Sequence, residues 1–263
     1  MKLALYQGPG VINSPDAAFA LMETKATEAR ANGARLLLFP EMYVSGYNIG
    51  AEAARRHALA PADLAPAQKI AQSLGMGLAF GYPERVGDQV ANAAVLIDAT
   101  GTVLLNYRKS HPCREYDRAM FDVTGREFPL ATVGGAKLGL LICKDIEFPE
   151  PARRLALAGA DLILVPAAQT PPYDPVARHV IPARAYENQV YVAYANRTGA
   201  EHGLDYIGQS SICGPDGAVL AMAGQGEELL FASTDAAHHA AIRRADTLLA
   251  DRRPDLYAPL AKP

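Results

Sequence analysis

Cysteine is scarce in this chain. Three residues (Cys113, Cys143 and Cys213) among 263 are too few and too scattered for a disulfide framework, which points to a reducing compartment. None stand in Cys-x-x-Cys spacing, so no metal site is expected. No apolar stretch approaches ~18 residues, so no membrane-spanning helix is expected. Charge of one sign is never blocked together: 25 Lys and Arg stand against 28 Asp and Glu, and the net charge is −3. That balance excludes a basic footprint for nucleic acid and an affinity for anionic membranes. No Gly-x-Gly-x-x-Gly follows a strand and no phosphate-binding loop is present, so no nucleotide and no other cofactor is expected. Linkers, low-complexity tracts and internal repeats are also missing. One domain over 1–263 is therefore expected, with an extended C-terminal arm from about residue 252 that contains Pro254, Pro259 and Pro263. The opening MKLALYQGPG is too short and too interrupted for a signal peptide and suits a first strand, so a cytoplasmic location is expected. Asn196-Arg-Thr matches a glycosylation sequon, which without a secretory signal is read as chance.

Half of the residues are hydrophobic, enough for a large core. Apolar runs predict strands at Leu3 to Gln7, Leu36 to Phe39, Met76 to Tyr82, Asp161 to Val165 and Val190 to Ala195. Ser14-Pro15 opens a helix that Gly33 closes. Further helices are expected at Ala51 to Ala60, Leu64 to Leu74, Pro149 to Leu157, Val176 to Asn188 and Asp235 to Asp251. Turn signals at Asp98-Ala-Thr-Gly, Gly134-Gly135 and Gly214-Pro-Asp-Gly predict three hairpins. Alternating helices and strands interrupted by hairpins predict an α/β fold with mixed sheets.

The segment Lys137 to Glu150, KLGLLICKDIEFPE, carries the sharpest signal. An apolar strand ends at Cys143, a charged pair follows, and Pro149 opens a helix. A thiol at such a turn faces a cleft, where amides or cations favour its thiolate and make it a nucleophile. Taken alone, Cys143 is equally a small buried residue at a strand end. Glu41, after Leu-Leu-Leu-Phe-Pro, and Lys109, after Val-Leu-Leu-Asn-Tyr-Arg, occupy matching strand-end positions. Sites in open α/β sheets gather at the carboxyl ends of strands. A carboxylate, an ammonium and a thiol are therefore expected to meet in one cleft.

Three segments carry a family resemblance: Phe39 to Met42 (FPEM), Tyr107 to His111 (YRKSH) and Cys143 to Glu150 (CKDIEFPE). Their order and context resemble the nitrilase, or carbon–nitrogen hydrolase, superfamily over nearly the whole chain. Within it the wording is most similar to bacterial 5-aminovaleramide amidases and R-stereoselective amidases. The resemblance implies a four-layer αββα sandwich that pairs into homodimers or larger homo-oligomers, and a Glu–Lys–Cys triad on Glu41, Lys109 and Cys143. It implies hydrolysis of a small aliphatic amide, such as 5-aminovaleramide or another ω-amino amide, to an acid and ammonia through a cysteine thioester. The backbone N–H of Lys144 falls on the oxyanion position. The family's second glutamate is matched to Glu115. Tyr47, Asn48, Glu147 and Tyr173 follow strand ends and are candidates for lining the substrate cleft. Cys213 is read as packing.

Two departures bear on the substrate. Lys144 stands where relatives often carry an aromatic residue, and Pro112-Cys113-Arg114 stands where they carry Leu-Phe-Gly. A cation beside Cys143 is expected to lower the thiol pKa and to repel a cationic substrate. An amide bearing a carboxylate is accordingly the alternative substrate, and Glu147, Glu187 and Asp205 are the candidates for meeting an ammonium. A binding protein without catalysis is the remaining alternative, which the intact Glu41, Lys109 and Cys143 disfavour.

Overall fold

The computed structural model describes residues 1–261. β1 (Lys2–Gln7) leads to α1 (Pro15–Ala31), where Pro15 takes the first helical position and needs no N–H partner. β2 (Leu36–Leu38), α2 (Gly50–Arg56) and α3 (Ala65–Leu74) follow. Then come β3 (Gly77–Val86), β4 (Gln89–Ile97), β5 (Val103–Arg108) and α4 (Arg114–Met120). The second half runs β6 (Leu130–Val133), β7 (Ala136–Leu140), α5 (Pro149–Leu157), β8 (Leu162–Ala167), α6 (Ile181–Asn188) and β9 (Tyr191–Asn196). It continues with β10 (Thr198–Glu201), β11 (Leu204–Ile207), β12 (Ser211–Cys213), β13 (Val219–Met222), β14 (Glu228–Ser233), α7 (Ala236–Ala245) and α8 (Pro254–Tyr257).

Two six-stranded mixed sheets result, ordered β14-β1-β2-β3-β4-β5 and β13-β12-β9-β8-β7-β6. Each has three parallel central strands (β1-β2-β3 and β7-β8-β9) flanked by antiparallel ones. Side-chain alternation decides which faces meet. Leu3, Leu5, Leu36 and Leu38 point to the second sheet and join Leu138, Leu140 and Leu164 in one buried cluster. Ala4, Tyr6, Leu37 and Phe39 point the other way, onto α1 residues Ala18, Phe19 and Met22. α5 and α6 cover the far face of the second sheet through Ala152, Leu155, Ile181 and Ala185. The layers are thus αββα. Truncating any one of these inner leucines to alanine removes about 2–5 kcal/mol.

The three hairpins form at the expected turns, with Gly134 and Gly135 both at positive φ (57° and 85°) between β6 and β7. Two further hairpins, β3–β4 and β10–β11, and helix α4 lie outside the turn signals and apolar periodicities read from the sequence. The helix expected over Val176 to Asn188 is divided. Pro182 has no N–H to give back along the helix, and a wide π-helical turn at Val176–Val180 precedes α6. The helix expected to reach Asp251 stops at Ala245, because Asp246 is extended. The expected extended arm is instead α8 followed by a 3-10 turn, Ala258–Ala261. Pro254 fixes a helical φ at the first position and so starts a helix here. Pro263 lies outside the described residues.

Candidate active site

Glu41, Lys109 and Cys143 follow β2, β5 and β7, so both sheets contribute to one cleft at the carboxyl ends of their strands. Lys109 is buried, and its Nζ donates to Glu41 Oε1 and to Asp117 Oδ2, each at 2.7 Å. Glu41 is fully buried, and its Oε1 also accepts from Asn92 Nδ2 at 2.8 Å. Its second oxygen, Oε2, has no partner among the described residues and is open to receive a proton. Burial pushes the Glu41 carboxyl above its ordinary range, although Lys109 pulls it down. Burial works against the Lys109 ammonium too. Glu41 and Asp117 more than offset it, and Lys109 stays protonated well above its usual range.

Asp117, not Glu115, stands beside Lys109. Both lie on α4, but Glu115 points to solvent while Asp117, two residues on, faces inward. Asp117 accepts from Tyr47 OH at 2.8 Å, from the Cys113 N–H at 2.7 Å and from Lys109. Removing it strands three donors. Asp117→Ala is expected to cost about 3 kcal/mol in a thermal or urea melt and roughly 10²-fold in turnover. Glu115→Ala is expected to stay within about 0.5 kcal/mol and leave turnover unchanged. The opposite ranking of the two variants would restore Glu115.

Cys143 begins a 3-10 turn, Cys143–Glu147, with φ at +43°, a left-handed conformation that costs a non-glycine residue about 1–3 kcal/mol. The turn is held by Asp145, which is fully buried. Its carboxylate accepts from the N–H groups of Ile142 (3.0 Å), Ser110 (3.2 Å) and His111 (2.9 Å), and from Tyr107 OH (2.8 Å). One side chain therefore ties the cysteine turn to the loop that carries Lys109. The Cys143 thiol donates to Gln169 Oε1 at 3.5 Å. The expectation of a lowered thiol pKa is reversed. Burial, then the Glu41 charge, push Cys143 well above its ordinary range, and Lys109 only partly opposes them. Lys144 does not lower it, because its ammonium is turned to Glu147 Oε2 at 2.6 Å.

Beside the thiol, Lys144, Ala168 and Gln169 open onto a cavity of about 310 Å³. Its wall includes Tyr47, Glu147 and Tyr173 as expected, together with Cys113, Arg114 and Asp205. Asn48 is not among them: Tyr47 points inward, so its neighbour points out, where Asn48 Nδ2 donates to the His202 carbonyl at 3.1 Å. Glu187 also lies elsewhere, paired with Arg184 at 3.0 Å. Cys213 is fully buried among apolar residues. Among the described residues, no group of three His, Cys, Asp or Glu side chains is arranged to hold a metal ion.

Asn92, Asp117 and Gln169 were missed. Asn92 is the one polar residue in Val90 to Ile97, and Gln169 ends the run Leu162 to Ala168, so both carried a signal. Asp117 carried none beyond its place in a charged segment.

Residues 2–244 match the carbon–nitrogen hydrolase family. The chain is 49% identical to the "Hydrolase in pqqF 5'region" of Pseudomonas protegens, which covers all of this chain and 92% of that one. It is 36% identical to an (R)-stereoselective amidase from a Pseudomonas species, over 96% of this chain and 92% of the other. The solved amidase of Nesterenkonia sp. AN1 superposes with a TM-score of 0.86 at 32% identity, over 99% of each chain. That form carries acrylamide added at the active site cysteine. With the family match over 2–244 and these likenesses, the chain belongs to the carbon–nitrogen hydrolase family, as an amide hydrolase of the nitrilase superfamily.

Proposed function

We propose that the protein hydrolyses small, uncharged aliphatic amides to the carboxylic acid and ammonia through a thioester on Cys143. One observation carries the reading: Lys109 is fixed between Glu41 and Asp117 while Cys143 stands strained beside a cavity of about 310 Å³. Because the resting thiol holds its proton, attack and deprotonation go together. Glu41 takes the proton as the sulfur bonds to the amide carbon. The carbonyl electrons move to oxygen, where Lys109 Nζ and the Lys144 N–H, a donor at the open end of its turn, stabilise the charge. One such donor contributes about 3 kcal/mol. Glu41 then gives its proton to nitrogen, the C–N bond breaks and ammonia leaves. Water, deprotonated by Glu41, attacks the thioester, and the thiol is regenerated.

The charges on the cavity wall support a neutral acyl group. Lys144 is matched by Glu147, whose other oxygen accepts from Gln169 Nε2 at 3.2 Å. Arg114 and Asp205 contribute one charge of each sign. The Nesterenkonia amidase has been solved with butyramide, an acyl chain of this size. Ammonia release from butyramide, 5-aminovaleramide and a dicarboxylic monoamide tests the reading, and butyramide is expected to have the highest kcat/KM. Lys144→Ala frees Glu147 and is expected to raise kcat/KM for 5-aminovaleramide about fivefold and lower it for the acidic amide, the scale of one partly exposed charge contact. If Lys144→Ala shifts neither ratio, these side chains do not face the substrate.

A second reading, amides that carry a carboxylate, is favoured by Arg114. Among the described residues its guanidinium has no carboxylate partner and lies 4.6 Å over the Tyr173 ring. The homodimer belongs to the same proposal: Leu157 on α5 and Tyr186 on α6 are half exposed, an apolar face that pairing would cover. A monomer in sedimentation would remove that part. Among the described residues no helix is long and apolar enough to cross a membrane, which is compatible with the proposed cytoplasmic location.

A further inference from the structure

Beneath the cleft lies a buried ion pair for which turnover itself has no use. Arg197 follows β9 and is 1% exposed, the largest fully buried side chain among the described residues. Its guanidinium donates to the carbonyls of Glu41 (3.4 Å), Met42 (3.3 Å) and Pro9 (2.6 Å). Its own N–H shares the Ala167 carbonyl with the N–H of Glu41, at 3.2 and 3.3 Å. The turn thus gripped is a strained one. Met42 has φ at +50°, and a Cβ on Gly81 would fall 2.4 Å from the Met42 nitrogen, so the backbone is closed in from the opposite side. Glu201 stands 3.6 Å from Arg197. Its Oε2 accepts from the Tyr47 N–H at 3.1 Å and from Tyr206 OH at 2.5 Å. Tyr47 in turn donates through its hydroxyl to Asp117, the second carboxylate on Lys109.

The pair therefore reaches Glu41 by one route and Lys109 by the other. We propose that Arg197 and Glu201 are positioning residues that set the Glu41 base and the Lys109 ammonium relative to Cys143, acting through backbone carbonyls and Tyr47 and never touching substrate. This rests on the assignment of Glu41, Lys109 and Cys143 made above. An apolar side chain of equal volume would fill the same space but would take from the Glu41 and Pro9 carbonyls the donor that Arg197 gives them, while the Met42 carbonyl keeps the N–H groups of Ser45 and Gly46.

The test uses Arg197→Met, Arg197→Lys and Glu201→Gln, each alone and combined with Glu41→Gln. Two quantities are read: kcat and KM for butyramide, and the pH profile of Cys143 alkylation by iodoacetamide, a thiol faced by Glu41, Lys109 and Cys113. Arg197→Met is expected to lower kcat about 10²-fold with KM within threefold, the loss that follows from a base displaced by about 1 Å. It is also expected to move the alkylation profile. Arg197→Lys restores about tenfold, and in the Glu41→Gln background Arg197→Met changes alkylation less than threefold. Activity that falls only with the folded fraction, an unmoved alkylation profile, or equal losses in both backgrounds overturns the proposal. Should Arg197→Met not fold, Glu201→Gln decides: an unchanged kcat and an unchanged profile overturn it, and a tenfold lower kcat with a moved profile upholds it. If the unmodified protein shows a Glu41-dependent alkylation profile but hydrolyses no amide, the amidase reading fails and the positioning role stands on the alkylation results.

Discussion

Cys143→Ala is expected to abolish ammonia release, lowering kcat by about 10⁶-fold, the scale seen when the nucleophile of a concerted unit is removed. The chain should still fold. The substitution trims a single sulfur at the edge of the cavity and relieves none of the bonds Asp145 makes to the turn. Its melting temperature is expected within a few degrees of the parent, and alanine at φ +43° keeps the strain rather than adding to it. A variant that retains even one thousandth of the parent rate removes the thioester mechanism, since no other nucleophile touches the site in the same way: Cys113 shares the cavity but holds its N–H bond to Asp117 on a separate loop.

Glu41→Gln is the second large effect. It removes the unpartnered carboxylate oxygen of Glu41, whose charge faces a thiol that is otherwise protonated, and kcat/KM is expected to fall by about 10⁴-fold, the upper range for a general base. Stability should move the other way. Lys109 sits between two carboxylates, a buried group of net charge −1, and the amide brings it to zero while keeping an oxygen for Nζ. The folded Glu41 pKa is raised, so the folded state binds the proton more tightly than the unfolded chain. Its contribution is complete at pH below the unfolded carboxyl value and is lost as pH rises through the folded one. The parent should therefore lose stability across that window and Glu41→Gln should not, which paired urea melts at several pH values will show. For the same reason the acid limb of kcat/KM is expected above the ordinary carboxylate range. An acid limb at ordinary carboxylate pH, together with parallel stability curves, would place a normal carboxylate at Glu41.

The strands that build the cleft were legible because each is a short apolar run cut by an ionisable residue. Leu36 to Glu41, Val103 to Lys109 and Leu138 to Cys143 all show it, and the three turn signals mark hairpins that the structure forms, whereas the order of layers was implied by the family resemblance alone. What escaped has one physical character. α4 and the β10–β11 hairpin are polar segments whose inward residues include Asp117 and Glu201, held by hydrogen bonds to distant parts of the chain. Hydrophobic periodicity says nothing of a segment whose buried side is charged. The family resemblance points to a glutamate and so to Glu115, but the helix turns Glu115 out and Asp117 in. The thiol pKa failed for a related reason: Lys144 is adjacent in sequence, but its charge is spent on Glu147, and burial, which no local motif displays, decides the sign.

The pairing of β14 with β1 has a consequence for how the chain comes into being. Lys2 lies opposite Ser233, so the outer edge of the first sheet stays open until β14 has been synthesised. A nascent chain that carries only the first half presents β1 as an unprotected template whose inner face carries Leu3 and Leu5. Contacts so remote in sequence form late and slowly. Shortened products that end before Glu228 should therefore aggregate, because β14 is the strand that seals this edge.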